Sequence, residues 1–418
     1  MRTVLLTAYA VNPYKGSEDG TGWNWVIQLA KFQRLIVITR ENNLPHIKRY
    51  LTDHPLPQAD NIEFVGYDLP LWQRFWKRGS FGAMPYYYLW QRGVPDFVKG
   101  KELRFDLAHN LNFHNDWTPS FLHRLGKPFV WGPIGHHPPI PTAFASRFSF
   151  SERLKDRLRS GIKHLFWRHS GALKQGLQEA DLVLAMHSRV EHILPVSVPL
   201  KRMSAVGNAW VLPPENLPDH AFRILSVGRF VPLKGFDLSL RSFAAFFHSL
   251  AVDQQARVQL DLIGKGPLLT ELQELAKELK VEKVVHFIEW MPRQAFLERF
   301  QQASVFLFPS HEGAGMVVPE AMSYGVPVLC LDNYGPGELI GEAGIKVSDE
   351  TYAGAVTGLT QGLKRLYHDP DFRQICSQKG RARFEQHFEW AAKAAQVNAW
   401  YDQLVPPLSS SQASNLPA

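Results

Sequence analysis

The chain reads as an α/β protein built from two successive Rossmann-like domains, and three observations predict this. Apolar runs without alternation recur along both halves, the pattern of strands covered on both faces. Glycine turns and amphipathic stretches link these runs, giving the β–loop–α–β unit of a parallel sheet. The pattern then restarts at Arg223, after a proline-rich interruption. A length of 418 residues is too long for one ordinary core and fits two.

In the first half, Thr3–Ala8 is a short β-type run. A loop carrying Gly16, Gly20 and Gly22 follows, then an amphipathic stretch from Trp23 to Lys31 and the strand Leu35–Thr39. Further strands are expected at Ile62–Val65, Leu107–His109, Phe129–Trp131 and Leu182–Ala185. The second half opens with the strand Arg223–Gly228, the helix Leu238–Leu250 and the strand Val258–Gly264. The helix Leu268–Leu279 and the strands Val284–Phe287 and Ala303–Pro309 continue it. A short helix from Pro319, stopped by Gly325, precedes a last β–α unit at Val326–Cys330.

The expected organisation is a first domain over 1–195, a linker over 196–219, and a second domain over 220–385. Pro195, Pro199, Pro213, Pro214 and Pro218 mark the connection, because proline continues neither helices nor central strands. Residues 386–405 read as a helix with an aromatic stripe that packs back on the first domain. The polar tail 406–418 reads as disordered.

Composition is that of a soluble globular protein, with 45% hydrophobic and 20% charged residues. No apolar run approaches the roughly 18 residues that a membrane helix needs. The start Met1-Arg2-Thr3 followed by Val4-Leu5-Leu6 lacks the length of a signal-peptide core. Cys330 and Cys376, widely separated, imply reduced thiols and a cytoplasmic setting. A net charge of +7 suits a binder of phosphates or of an anionic membrane face. No nucleic-acid-binding signature accompanies it, so no nucleic acid is expected as a partner.

The most informative segment is His311 to Met322. Glu312 and Glu320 bracket a glycine turn, with Gly313 and Gly315, between a strand's C-terminal end and a helix start. Ligands of open α/β sheets bind in that crevice, and free amides at a helix start attract phosphate. A carboxylate beside them accepts hydrogen bonds from polyol hydroxyls, so phosphate and sugar together point to a nucleotide-sugar. Gly228 to Gly235 closes the first strand of the second domain, and its Arg229 and Lys234 suit a diphosphate. Guanidinium binds oxygens in a fork and lysine adds a point charge.

These segments resemble the family 4 glycosyltransferases of the GT-B fold, whose two Rossmann-like domains face each other across a cleft. The resemblance rests on Gly228-Arg229…Lys234-Gly235, Gly264-Lys265-Gly266-Pro267, and Pro309-Ser310…Glu312-Gly313…Glu320-Ala321-Met322…Gly325-Val326-Pro327. Gly16-Ser17-Glu18…Gly20…Gly22-Trp23 and Trp131-Gly132-Pro133-Ile134-Gly135 look like a bacterial branch that builds glycans. The resemblance implies a retaining transfer from a nucleoside-diphosphate sugar to a glycan or lipid-linked acceptor, with no cofactor and no metal. It further implies that Arg229 and Lys234 hold the diphosphate and Glu312 the donor-sugar hydroxyls near the reacting carbon. Backbone groups of Gly313, Ala314, Gly315, Met316 and Val317 would cap phosphates and sugar, and Glu320 would take the ribose. Gly228, Gly264 and Gly266 would shape the donor site, and Gly20 and Gly22 would let a first-domain loop approach the diphosphate. His109 and His114 are both candidates for a histidine beside the reacting sugar.

The chain departs from the family pattern at Val317, where proline is common, at Tyr334, which replaces a glycine, and at His136-His137, which follow Gly135 in place of a glycine run. Asp369-Pro370-Asp371 reads as a helix-ending turn rather than a metal-binding acidic pair. The histidines at 109, 114, 136 and 137 lack zinc-ligand spacing. A basic segment from Arg147 to Arg168, with Leu154, Leu158, Ile162, Leu165 and Phe166 interleaved, reads either as an ordinary surface helix or as one lying on anionic lipid, at the inner membrane face. The aromatic cluster from Trp72 to Trp90 reads as core, docking surface or acceptor contact. Two other functions share much of the pattern: a GT-B nucleotide-sugar epimerase, and a silent scaffold that only binds nucleotide-sugar.

Overall fold

A computed structural model of the chain describes residues 1–77, 82–111, 115–137, 139–145, 150–194, 197–209, 221–289, 291–313 and 315–406. It divides into two compact units. The first comprises residues 1–136, 161–205 and 390 onward, and the second residues 137–160 and 206–389. The segment 137–160, expected in the first domain, therefore counts with the second. Its Phe144 is buried in the second unit's core, with its ring centroid 4.5 Å from that of His311.

The first unit holds a seven-stranded, all-parallel sheet in the order β3-β2-β1-β4-β5-β6-β7. Its strands are β1 (Thr3–Thr7), β2 (Arg34–Thr39), β3 (Ile62–Gly66), β4 (Leu107–Asn110), β5 (Phe129–Ile134), β6 (Leu182–Ala185) and β7 (Leu200–Arg202). Successive side chains point to opposite faces, so Val4 and Leu6 enter one core while Leu5 enters the other. Two-sided burial explains why β1, β2, β5 and β6 read as continuous apolar runs. The edge strand β7 lies inside the expected linker; its Lys201 and Arg202 are exposed, which hides it from a hydrophobicity reading.

Gly20 and Gly22, expected in a loop, do not form one. They lie inside the helix Ser17–Leu29, which starts earlier than the expected Trp23. Glu18 and Asp19 in its first turn complement the positive end of the helix, and Trp25, Val26 and Leu29 bury its inner face. These terms outweigh the cost of two helical glycines, about 1 kcal/mol each.

The helix Trp390–Leu404 joins the same unit. Trp390 meets Trp25 edge-on at 5.4 Å, Arg2 pairs with Asp402, and Gln33 bonds Asn398. Asp369-Pro370-Asp371 ends one helix and begins the next: Asp369 Oδ1 accepts from the Phe372 amide at 2.8 Å and caps Pro370–His387.

The second unit carries a six-stranded parallel sheet in the order β10-β9-β8-β11-β12-β13. The strands are β8 (Phe222–Val227), β9 (Val258–Ile263), β10 (Val285–Ile288), β11 (Val305–Phe308), β12 (Val328–Leu331) and β13 (Ile345–Val347). Ile224 enters one core and its neighbour Leu225 the other, as in the first unit. β13, three residues long at the sheet edge, has no counterpart in the sequence reading. The order runs outward in both directions from β8 and β11, so β8 and β11 flank the switch point where ligands of such sheets bind.

Candidate functional site

The turn after β8 opens at Gly228, with φ +155°, and leads to an exposed Arg229. A short 3-10 turn, Pro232–Lys234, ends at Gly235, whose φ of +66° starts the helix Phe236–Phe247. A Cβ on Gly235 would lie 2.1 Å from the Pro309 carbonyl oxygen, so only glycine lets this turn press against the one after β11. The His311 amide donates to the Leu233 carbonyl at 2.9 Å and fastens the two turns together.

That contact brings Lys234 to Glu312. The ammonium donates to Glu312 Oε2, both side chains are largely buried, and the lysine nitrogen lies 5.2 Å from the Phe308 ring centroid. The other carboxylate oxygen, Oε1, is buried without a hydrogen-bond partner among the described residues. A buried acceptor left unsatisfied is costly and calls for a donor. Arg229 comes from the same turn as Lys234 and makes no ion pair with a described residue.

Two further turns buttress this arrangement. After β9, Gly264 has φ +154°, and a Cβ there would fall 1.8 Å from the Gly228 carbonyl oxygen; a Cβ on Gly266 would lie 2.5 Å from that of Phe230. Gly264 and Gly266 thus let two backbones touch, a packing role behind the Arg229–Lys234 turn. After β12, Asn333 Nδ2 donates to the Ser310 carbonyl at 2.8 Å while its Oδ1 accepts from the Gly335 amide at 3.1 Å. A Cβ on Gly335 would lie 1.8 Å from the Glu312 carbonyl oxygen. Ser310 Oγ accepts from the Glu312 amide at 3.2 Å.

The helix bearing Glu320 runs over Val317–Ser323, two residues earlier than expected from Pro319. Proline is tolerated in a first turn, whose amides have no intrahelical partner. Gly315, with φ +55°, precedes the start; its carbonyl accepts from Val318 at 2.9 Å. Gly313 is buried, Met316 exposed, and Val317 and Glu320 half-buried. Ala314 lies outside the described residues. His311, beside Glu312, is buried against Phe144, and burial lowers its pKa to about 4.

Of the first-unit candidates, His114 also lies outside the described residues. His109 is fully buried on β4, with both ring nitrogens engaged. Nε2 lies 2.7 Å from the Gly132 carbonyl and must donate to it, leaving Nδ1 to accept from the Tyr401 hydroxyl. His109 is thereby a core anchor between β4, β5 and the C-terminal helix, not a group available for proton transfer. Gly20 and Gly22, being helical, form no loop. Sequence reasoning did not connect His136 with Asp116: His136 Nδ1 lies 2.6 Å from the Asp116 carboxylate, and both are buried. Trp167 Nε1 donates to the Asp116 carbonyl at 3.0 Å, which holds that loop from a second side.

In comparison with known proteins, residues 212–383 match the family model described as glycosyl transferases group 1. A D-inositol 3-phosphate glycosyltransferase of Corynebacterium glutamicum is 28% identical over 197 residues, 45% of this chain and 45% of the relative. An O-antigen chain mannosyltransferase B of Escherichia coli is 28% identical over 180 residues, 42% of this chain and 45% of the relative. The chain thus spans about half the length of the curated relatives it matches. Among solved structures, HepE of Anabaena in complex with UDP and glucose aligns with a TM-score of 0.57 at 16% identity. That alignment covers 97% of this chain and 100% of the other. At such identity the likeness concerns the fold, and the fold is GT-B.

Proposed function

Taking as premise that residues 212–383 belong to the group 1 glycosyltransferases, on a chain with the GT-B fold, we propose that this protein is a retaining glycosyltransferase. It moves a sugar from a nucleoside-diphosphate donor onto a glycan or lipid-linked acceptor in bacterial polysaccharide or glycolipid assembly. The observation that carries this reading is the Glu312 carboxylate, held at one oxygen by Lys234 and left with a buried, unsatisfied acceptor at the other. A sugar hydroxyl is the donor that suits it.

The chemistry follows from charge. As the bond between the anomeric carbon and the diphosphate oxygen breaks, positive charge grows on the sugar and negative charge on the leaving diphosphate. Arg229 and Lys234 stabilise the diphosphate without requiring a metal, and Glu312 holds the sugar beside them. The departing phosphate takes the acceptor's proton, and the acceptor oxygen bonds to the face that the diphosphate leaves. Glu320, on the helix after the Glu312 turn, takes the ribose hydroxyls. The free, buried thiols of Cys330 and Cys376 support a reducing, cytoplasmic setting.

Binding tests this first. Thermal shift against UDP-, GDP- and ADP-sugars should single out one nucleotide, since a ligand at about 100 times its dissociation constant adds about 2.7 kcal/mol. HepE's complex with UDP and glucose makes UDP-glucose the first to try. Incubation of the labelled donor should then release free sugar slowly, with the donor's anomeric configuration kept. Release of the epimer instead would favour an epimerase, and binding with no turnover a silent scaffold.

A further inference from the structure

The helix Phe150–His169 has its polarity reversed with respect to the protein. Leu154, Leu158, Ile162 and Leu165, spaced along one face, are 47%, 60%, 49% and 58% exposed. On the opposite face, at matching spacing, Asp156, Ser160, Lys163 and Trp167 are the half-buried positions. Trp167 anchors that face through its bond to Asp116. An amphipathic helix packed on a globular core buries its apolar stripe; this one presents it to solvent.

The charges flanking the stripe identify what covers it. Arg157 and Arg168 border it on one side and Arg159 on the other, all exposed. Arg153 adds a further exposed cation, and Asp156, the acid described on this helix, faces inward. A second copy of the chain laid stripe to stripe would bring these arginines against their own likes. A bilayer with anionic headgroups accepts the leucines into its acyl boundary while the arginines reach phosphate, the long stems snorkelling outward. A helix of this length covers roughly 30 Å of membrane plane.

We propose that the Phe150–His169 helix docks the protein on anionic lipid, with Leu154, Leu158, Ile162 and Leu165 inserted and Arg157, Arg159 and Arg168 on the headgroups. The proposal rests on this helix alone and stands or falls independently of the transferase reading. The test is co-sedimentation of the full chain with vesicles of phosphatidylcholine, alone or mixed with phosphatidylglycerol at roughly 2:1. Wild type should pellet with the mixed vesicles and stay in solution with the neutral ones, and added salt should release it. Leu158→Ser with Ile162→Ser should weaken partition by at least about tenfold, with circular dichroism and melting temperature unchanged because both positions are exposed. Arg157→Gln with Arg159→Gln should weaken it on the order of fivefold per cation and lower the salt dependence. Equal pelleting with both vesicle types, or no loss in either variant, overturns the proposal. A concentration-dependent dimer that the Leu158/Ile162 variant dissolves, without vesicle binding, assigns the stripe to self-association instead.

Discussion

Lys234 and Glu312 lie 78 positions apart in the chain, yet the ammonium of one bonds the carboxylate of the other. The pair forms because two glycine-bearing turns at adjacent strands β8 and β11 press together, Gly235 against Pro309. It fixes where the Glu312 carboxylate points.

The two partners should separate kinetically. Glu312→Ala should abolish transfer with the fold intact. Lys234→Met should lower kcat by about a hundredfold, the usual cost of losing one preorganised donor to developing negative charge. Single-turnover assays with labelled donor, beside circular dichroism, measure both. Unchanged transfer in Glu312→Ala would remove the carboxylate from the mechanism.

Glu320→Ala should act on binding rather than on the chemical step. On the proposed ribose assignment, losing the Glu320 carboxylate costs about 1.5–3 kcal/mol per charged hydrogen bond, so nucleotide affinity should fall at least about tenfold. Calorimetric titration with the nucleoside diphosphate reads this directly. Equal affinity in the variant contradicts the ribose assignment.

A methyl group at Gly335 should be felt at Glu312. The new Cβ would fall 1.8 Å from the Glu312 carbonyl oxygen. Gly335→Ala should therefore destabilise by about 1–3 kcal/mol and displace the Glu312 turn, cutting activity more than Gly161→Ala, which meets nothing within 4 Å. Thermal melts and donor hydrolysis on the two variants compare the effects.

Much of this was legible in the sequence, and what was not has physical reasons. Doubly covered strands such as Leu35–Thr39 and Val305–Phe308 announce themselves, because every position is apolar or small. The edge strands Leu200–Arg202 and Ile345–Val347 do not, being three residues long and partly exposed. Gly20 and Gly22 read as a loop because glycine disfavours helix; the buried stripe from Trp23 to Leu29 overrides that preference. The residue types at 229, 234, 312 and 320 carry the proposed chemistry, whereas Asn333 escaped notice because its contacts are with backbone atoms. His109 looked like a reagent; its place in the run Leu107-Ala108-His109 was the sign of a strand interior.

Acid should weaken the second unit through His311. Burial lowers its folded pKa to about 4, below the unfolded value of 6.5, so the unfolded chain binds the proton first. The contribution is whole above pH 6.5 and is lost as pH falls from there towards 4, reaching up to about 3 kcal/mol at 1.36 kcal/mol per pKa unit. His311→Gln, which does not titrate, should flatten the denaturant midpoint between pH 6.5 and 4.5. A parallel decline in both proteins would place the acid sensitivity elsewhere.

Lys393 offers the complementary case in the first unit. It is buried in the C-terminal helix, its nitrogen 4.6 Å from the Trp25 ring centroid and 4.0 Å from that of Trp390. The two indole faces favour the ammonium, but burial outweighs them and drives the pKa well below that of a free lysine. The unfolded chain therefore holds a proton that the folded one resists, and stability should rise as pH climbs towards 10.5. Lys393→Met keeps the stem, removes the charge and leaves a sulfur against two aromatic rings. It should stabilise by about 1–3 kcal/mol at pH 7, as replacing a buried ion by an apolar side chain often does, and erase the alkaline rise. A lower melting temperature in this variant would mean that the ammonium's attraction to Trp25 and Trp390 exceeds its desolvation cost.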